Sequence, residues 1–249
     1  NINQDYSSVR SELNANVTGP AKSALNLPVT NPYGNVTYDV AGAQAKAWGL
    51  TSSAATGIDG EIGIASTGWS SSDYVAVLLH EITHAMGRNS GWGGTNNDTT
   101  PLDLFRYSSA GNLVSDGSLV DPSLHSNASS LQYLSVNGGA TVLADYSNGS
   151  DYGDWATNSL TANDPFNAYA APNSNALTAA DATTLGATGF QLSSAGLALA
   201  SNTPNAYSLL NQAIAGVTNN TTYSDAGTYM NSAMLGSVQA SMLLPHNHG

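Results

Sequence analysis

Residues 79–88, LHEITHAMGR, constrain this chain more than any other stretch. His80 and His84 are four apart. On a helix, positions i and i+4 lie on one face about a turn apart, so the two imidazoles converge on one point. Glu81 follows His80 directly, which sets its carboxylate at the rim of that point. The pattern is H-E-x-x-H: two imidazoles hold a zinc ion, the ion lowers the pKa of a water towards neutrality, and the carboxylate takes the proton as the water attacks a carbonyl. Its surroundings read as a helix. Ser70, Ser71 and Ser72 offer an N-cap and Asp73 adds first-turn negative charge. Tyr74, Val77, Leu78, Ile82, Ala85 and Met86 supply an apolar side, and Gly87 stands where a helix end wants positive φ. The plain alternative is a surface helix that its two histidines only cap and pack.

A chain of 249 residues is ample for a core, as one large domain or two modest ones. Hydrophobic content of 41% is globular, whereas 9% charged residues falls far below the usual quarter or so. Its polar surface must come from Asn, Ser, Thr and Gly. Arg10, Lys22, Lys46, Arg88 and Arg106 are the only basic residues, and the net charge is -12. Nucleic acid and anionic membrane both need a basic patch, so neither is expected as a partner. The lack of cysteine excludes disulfides, thiolate ligands and a cysteine nucleophile. No apolar run approaches the roughly 18 residues of a membrane span. The start at Asn1 fits removal of a signal or pro-segment, and no Lys or Arg follows Arg106. Together these features read as a secreted, extracellular, bacterial-type protein.

Along the chain, Val9, Leu13 and Val17 at spacing four predict a helix over 5–17, broken by Gly19-Pro20. Residues 36–38 read as a brief strand and 40–50 as a helix ending near Gly49. Alternation over 61–65 predicts a strand just ahead of the histidine helix, an edge with which an extended substrate can pair. In 102–107, Asp103 and Arg106 are three apart and read as a buried structural pair. Residues 131–136 and 140–143 read as a hairpin around Asn137-Gly138-Gly139, and a short helix begins at 179–181 and leads to Gly189. Two amphipathic helices are expected over 204–217 and 223–244.

A catalytic zinc takes three protein ligands and keeps one position open. In the compact pattern H-E-x-x-H-x-x-G-x-x-H the third ligand comes three residues after Gly87, where this chain has Ser90, a poor zinc ligand. HEITHAMGR, PLDLFRYSSAG, the GDW of DYGDW and AADATTLGATGF, taken as an ordered set, resemble a family of secreted bacterial metallopeptidases distantly related to leishmanolysin. The similarity spans roughly residues 35–190. It implies a metzincin in which an insertion separates the helix from the third ligand, a histidine just before tryptophan. Asp154 stands in that place, before Trp155. The implied site is therefore His80, His84 and Asp154 around zinc, with Glu81 as base. His125 and Asp151 remain competitors for the third position. The methionine turn of metzincins has no counterpart, since no methionine lies between Met86 and Met230; Phe166 falls at about its place. Tyr169 is a further candidate for oxyanion or zinc contact, whereas His246 and His248 read as a flexible end.

The expected fold is thus α+β: a metzincin-like domain with a twisted mixed sheet and active-site helix, an irregular C-terminal subdomain and a helical extension. The expected boundaries are 1–88, ending in the zinc helix, 89–190, supplying the third ligand, and 191–249. The expected function is a zinc metalloendopeptidase acting on protein or peptide substrate. A non-catalytic surface or binding protein on the same fold is the alternative. Calcium is a second candidate cation, for the Asn/Asp/Gly loops at 93–98 and 145–154. Arg88 and Arg106 hint at recognition of acidic groups or a C-terminal carboxylate.

Overall fold

A computed structural model describes residues 1–52, 56–65, 67, 70–91, 99–114, 132–147, 151–156, 163–169 and 174–201, and the backbone of 238–240. The architecture is α+β. Helix α1 (Tyr6–Asn16) is capped by Asp5, whose carboxylate accepts from the Ser8 amide at 2.8 Å. The predicted stripe of Val9, Leu13 and Val17 is buried. After Gly19, at φ 66, Pro20 opens α2 (Pro20–Ala24). Strand β1 (Ile2–Gln4) pairs antiparallel with β2 (Tyr38–Val40), so the expected strand at 36–38 lies slightly further on. Helix α3 (Gly42–Ala47) precedes β3 (Gly60–Ile62), which is shorter than the strand read over 61–65.

Helix α4 (Ser71–Met86) carries the histidines. Ser70 and Asp73 form a capping box, the Ser70 hydroxyl accepting from the Asp73 amide at 3.3 Å and the Asp73 carboxylate from the Ser70 amide at 3.1 Å. Gly87 ends the helix at φ 112, and a Cβ there would lie 2.9 Å from Gln44 Oε1 of α3. The apolar side is shallower than predicted. Ala76, Thr83 and Met86 are buried, whereas Tyr74, Val77, Leu78, Ile82 and Ala85 are partly so. Met86 and Ile82 pack with Ala43 and Phe190.

A short 3-10 helix (Pro101–Phe105) leads into β4 (Arg106–Ser109), and β5 (Asn112–Leu113), β4, β6 (Tyr133–Leu134) and β7 (Ala144–Asp145) form an antiparallel sheet in that order. The hairpin returns at Ala144–Asp145, not at 140–143. The Asn137 carboxamide oxygen accepts from the Thr141 amide at 3.0 Å, which spends those residues on the turn. Helix α5 (Ala179–Ala187), capped by Thr178, and α6 (Ser194–Ala200) pack together through Ala182, Leu199 and Ala200.

Two expectations are corrected. Among the described residues there is no single twisted mixed sheet. Three small sheets replace it, because strands of 2 to 4 residues between Gly- and Asn-containing turns leave little edge to extend. Within the helix expected over 223–244, Val238–Ala240 forms strand β8, paired parallel with β3; the backbone groups on one β3 edge thus bond to the chain itself. The rest of that helix and the one at 204–217 lie outside the described residues.

One core cluster runs from Val9, Leu13 and Val17 through Tyr38, Leu102, Leu104, Phe105 and Leu134 to Trp155, Phe166 and Ala187. Residues 1–88 and 89–190 therefore share a core, which holds Trp155 and Phe166; the α4 residues Met86 and Ile82 pack in a separate cluster.

Candidate metal centre

His80 and His84 project from successive turns of α4, their Nε2 atoms 2.9 Å apart. Asp154, only 3% exposed, brings Oδ1 to 3.0 Å from His84 Nε2 and 3.3 Å from His80 Nε2. These three groups could hold a metal ion.

The tautomers follow from the other ring nitrogens. His80 Nδ1 lies 2.8 Å from the Pro165 carbonyl. His84 Nδ1 lies 2.7 Å from the Arg88 carbonyl and 2.9 Å from Asn89 Oδ1, the amide oriented by Asn89 Nδ2 donating to the His84 carbonyl at 2.9 Å. Carbonyl oxygens only accept, so each Nδ1 carries the hydrogen and each Nε2 presents a lone pair. Two nitrogen lone pairs and a carboxylate oxygen thus point at one another across about 3 Å. The Arg88 guanidinium offsets part of their mutual repulsion, lying 3.1 Å from Asp154 Oδ1 and 3.0 Å from His84 Nε2, and a metal ion among them would offset the rest. Tetrahedral metal bonds of about 2.0–2.2 Å put donors roughly 3.3–3.6 Å apart, so the three donors, 2.9–3.3 Å from one another, would spread by a few tenths of an ångström around one ion.

Burial and the nearby Arg88 charge push the His80 pKa down to about 4, favouring the neutral ring a metal needs. Burial works to raise Asp154, but its polar neighbours, the charge of Arg88 among them, outweigh it and leave the group lowered, a carboxylate. Half-buried Glu81 is raised, chiefly by burial, against the opposing charge of Arg88.

The Gly-Asp-Trp run has a physical reason at each position. A Cβ on Gly153 would lie 3.1 Å from both the Arg88 carbonyl and Asp151 Oδ1, so a side chain there would push the loop or the end of α4 away by a few tenths of an ångström. Trp155 is fully buried, its amide donating to the Phe166 carbonyl at 2.8 Å and its indole N–H to Asp181 Oδ1 at 3.2 Å. Asp154 sits between this spacer and this anchor.

With known proteins, the chain matches no family model, no curated protein and no solved structure. The geometry therefore carries the functional reading.

Asp151 lies outside the triangle. Its Oδ2 is 3.9 Å from His84 Nε2, its side chain is half exposed, and its Oδ1 accepts from the Gly153 amide at 2.6 Å, shaping the turn. Phe166 is buried beside Trp155, with the Arg88 guanidinium 4.2 Å from its ring centre. Tyr169 is 67% exposed. His125, His246, His248 and the loop at 93–98 lie outside the described residues. Among the described residues no second group of three or more metal-ligating side chains converges, in the loop at 145–154 or elsewhere.

Sequence reasoning placed Arg106 in a buried pair with Asp103 but missed the contact of Arg88 with Asp154. Both are buried, so neither is placed to meet a substrate carboxylate. Arg106 lies 3.6 Å above the Tyr146 ring, donates to the Tyr152 carbonyl, and meets Asp103 mainly through Ser90. Its direct Nε–Oδ1 separation from Asp103 is 3.9 Å, so the expected pair is a bridged one. It ties the chain leaving α4 to the loop that delivers Asp154. Arg88 donates to Asp154 Oδ1 at 3.1 Å and to the Gly153 carbonyl at 2.9 Å. The available signal was scarcity: one of five basic residues falls right at the helix end.

Proposed function

We propose that this chain is a secreted zinc-dependent endopeptidase with a metzincin-like catalytic domain, hydrolysing peptide bonds in protein or peptide substrates. The observation that carries the reading is the convergence of two Nε2 lone pairs and a buried carboxylate beside a half-buried glutamate. Zinc, when bound, supplies Lewis acidity towards a carbonyl and acidifies water. His80 and His84 would hold it with neutral rings, oriented by the Pro165 and Arg88 carbonyls, and Asp154 would add the third donor. Glu81 accepts the water proton and returns it to the leaving amine; burial, which raises its pKa, makes it a better proton acceptor than an exposed carboxylate. The low charge of the surface, the absence of cysteine and the sequence resemblance support an extracellular setting.

The test is metal content and cleavage of an unfolded protein substrate, measured on the same preparations. Glu81→Gln is expected to keep its zinc and lose roughly 10²–10⁴-fold in cleavage rate. Full activity in Glu81→Gln contradicts the mechanism. A zinc-loaded wild type that cleaves nothing supports the non-catalytic binding protein instead.

A further inference from the structure

Arg88 is 2% exposed, and all three of its nitrogens are engaged. Nε donates to Thr83 Oγ1 at 2.9 Å. Nη1 donates to the Gly153 carbonyl at 2.9 Å and to Asp154 Oδ1 at 3.1 Å. Nη2 lies 3.0 Å from His84 Nε2 and 3.4 Å from the His80 carbonyl. Its guanidinium also rests on the Phe166 ring. One side chain therefore touches the metal helix, the loop carrying the third donor and the segment behind it. The Oδ1 that Arg88 grips is the oxygen facing both histidines. A carboxylate left to itself can rotate and offer either oxygen or both; a donor fixed on one side of Oδ1 removes that freedom.

We propose that Arg88 is the positioning residue of the metal site, holding Asp154 Oδ1 towards His80 and His84. Its charge compensates the buried carboxylate before an ion arrives, and its planar fork sets the direction in which the carboxylate offers itself. A lysine keeps the charge but loses the fork, so charge and geometry separate experimentally. The inference rests on the ligand assignment of the proposed metal site.

The test is a double-mutant cycle on metal affinity, read by chelator competition with Zn²⁺ alone and by the visible spectrum of the Co²⁺-loaded protein. Circular dichroism of the metal-free proteins checks the fold. Arg88→Lys is expected to weaken Zn²⁺ binding roughly 10–100-fold and to alter the Co²⁺ bands, as the carboxylate leaves its fixed orientation. Thr83→Val, which removes the acceptor for Nε without touching a ligand, is expected to weaken binding roughly 2–10-fold. If Arg88 acts through Asp154, Arg88→Lys combined with Asp154→Ala binds no more weakly than Asp154→Ala alone. Wild-type affinity and spectrum in a natively folded Arg88→Lys overturn the proposal, as do losses that simply multiply in the double variant. If Arg88→Lys unfolds, wild-type affinity in Thr83→Val overturns it. Wild-type affinity in Asp154→Ala has a different meaning: it removes the ligand assignment, and the role of Arg88 falls with it.

Discussion

The two halves of the candidate metal centre are built in different ways. Helix α4 is assembled from its own neighbourhood: a capping box at Ser70 and Asp73, a left-handed glycine at residue 87, and two histidines one turn apart. The Asp154 loop is assembled from elsewhere. It depends on Arg88 and Ser90 beyond the helix, on Asp103 and Arg106, on Phe166 and on Asp181 of α5. A locally encoded half has few ways to fail. A half encoded by tertiary contacts fails whenever one of several distant partners is lost.

That contrast orders the expected effects. Trp155→Ala should be the most damaging, costing about 3–5 kcal/mol in denaturant unfolding, because it empties a fully buried indole site and leaves Asp181 without that donor. A cost under about 1 kcal/mol would break the claim that the loop hangs on this anchor.

The pH response of the metal-free protein comes next. The folded-state pKa of His80 lies near 4, below the roughly 6.5 of an unfolded histidine. The unfolded chain therefore binds the proton first as the solution acidifies. The stabilisation is complete above about pH 6.5 and is lost as pH falls to about 4, by up to about 3 kcal/mol. Asp154, also lowered, adds a loss in the same direction at lower pH. His80→Gln should flatten the upper part of this slope in chemical-denaturation curves; an unchanged slope would place the titration elsewhere. The smallest effect belongs to the helix half. Ser70→Ala removes one cap and should cost about 1 kcal/mol, leaving zinc affinity almost unchanged. A large loss of zinc affinity in that variant would show that the helix is less self-sufficient than its sequence implies.

The same contrast explains what the sequence disclosed. His80, Glu81, His84, the cap at Ser70 and the stop at Gly87 were legible because spacing along a helix is local. The stripe of Val9, Leu13 and Val17 and the helix beginning at 179 were legible for the same reason. Asp154 was reachable only through its resemblance context, because 70 residues separate it from His84. Arg88 was misread as a substrate contact, since sequence gives no sign that its guanidinium is buried against Gly153 and Phe166. Pairing between β3 and Val238–Ala240 was invisible because partners so far apart leave no periodic mark, and an Ala- and Met-rich stretch reads as helix.

The most direct test is zinc content, measured by mass spectrometry on wild type, Asp154→Ala and His125→Ala purified without added metal. The proposed zinc centre predicts near-stoichiometric zinc in the wild type and in His125→Ala, and loss of zinc in Asp154→Ala. Zinc retained by Asp154→Ala and lost from His125→Ala would contradict the proposed centre.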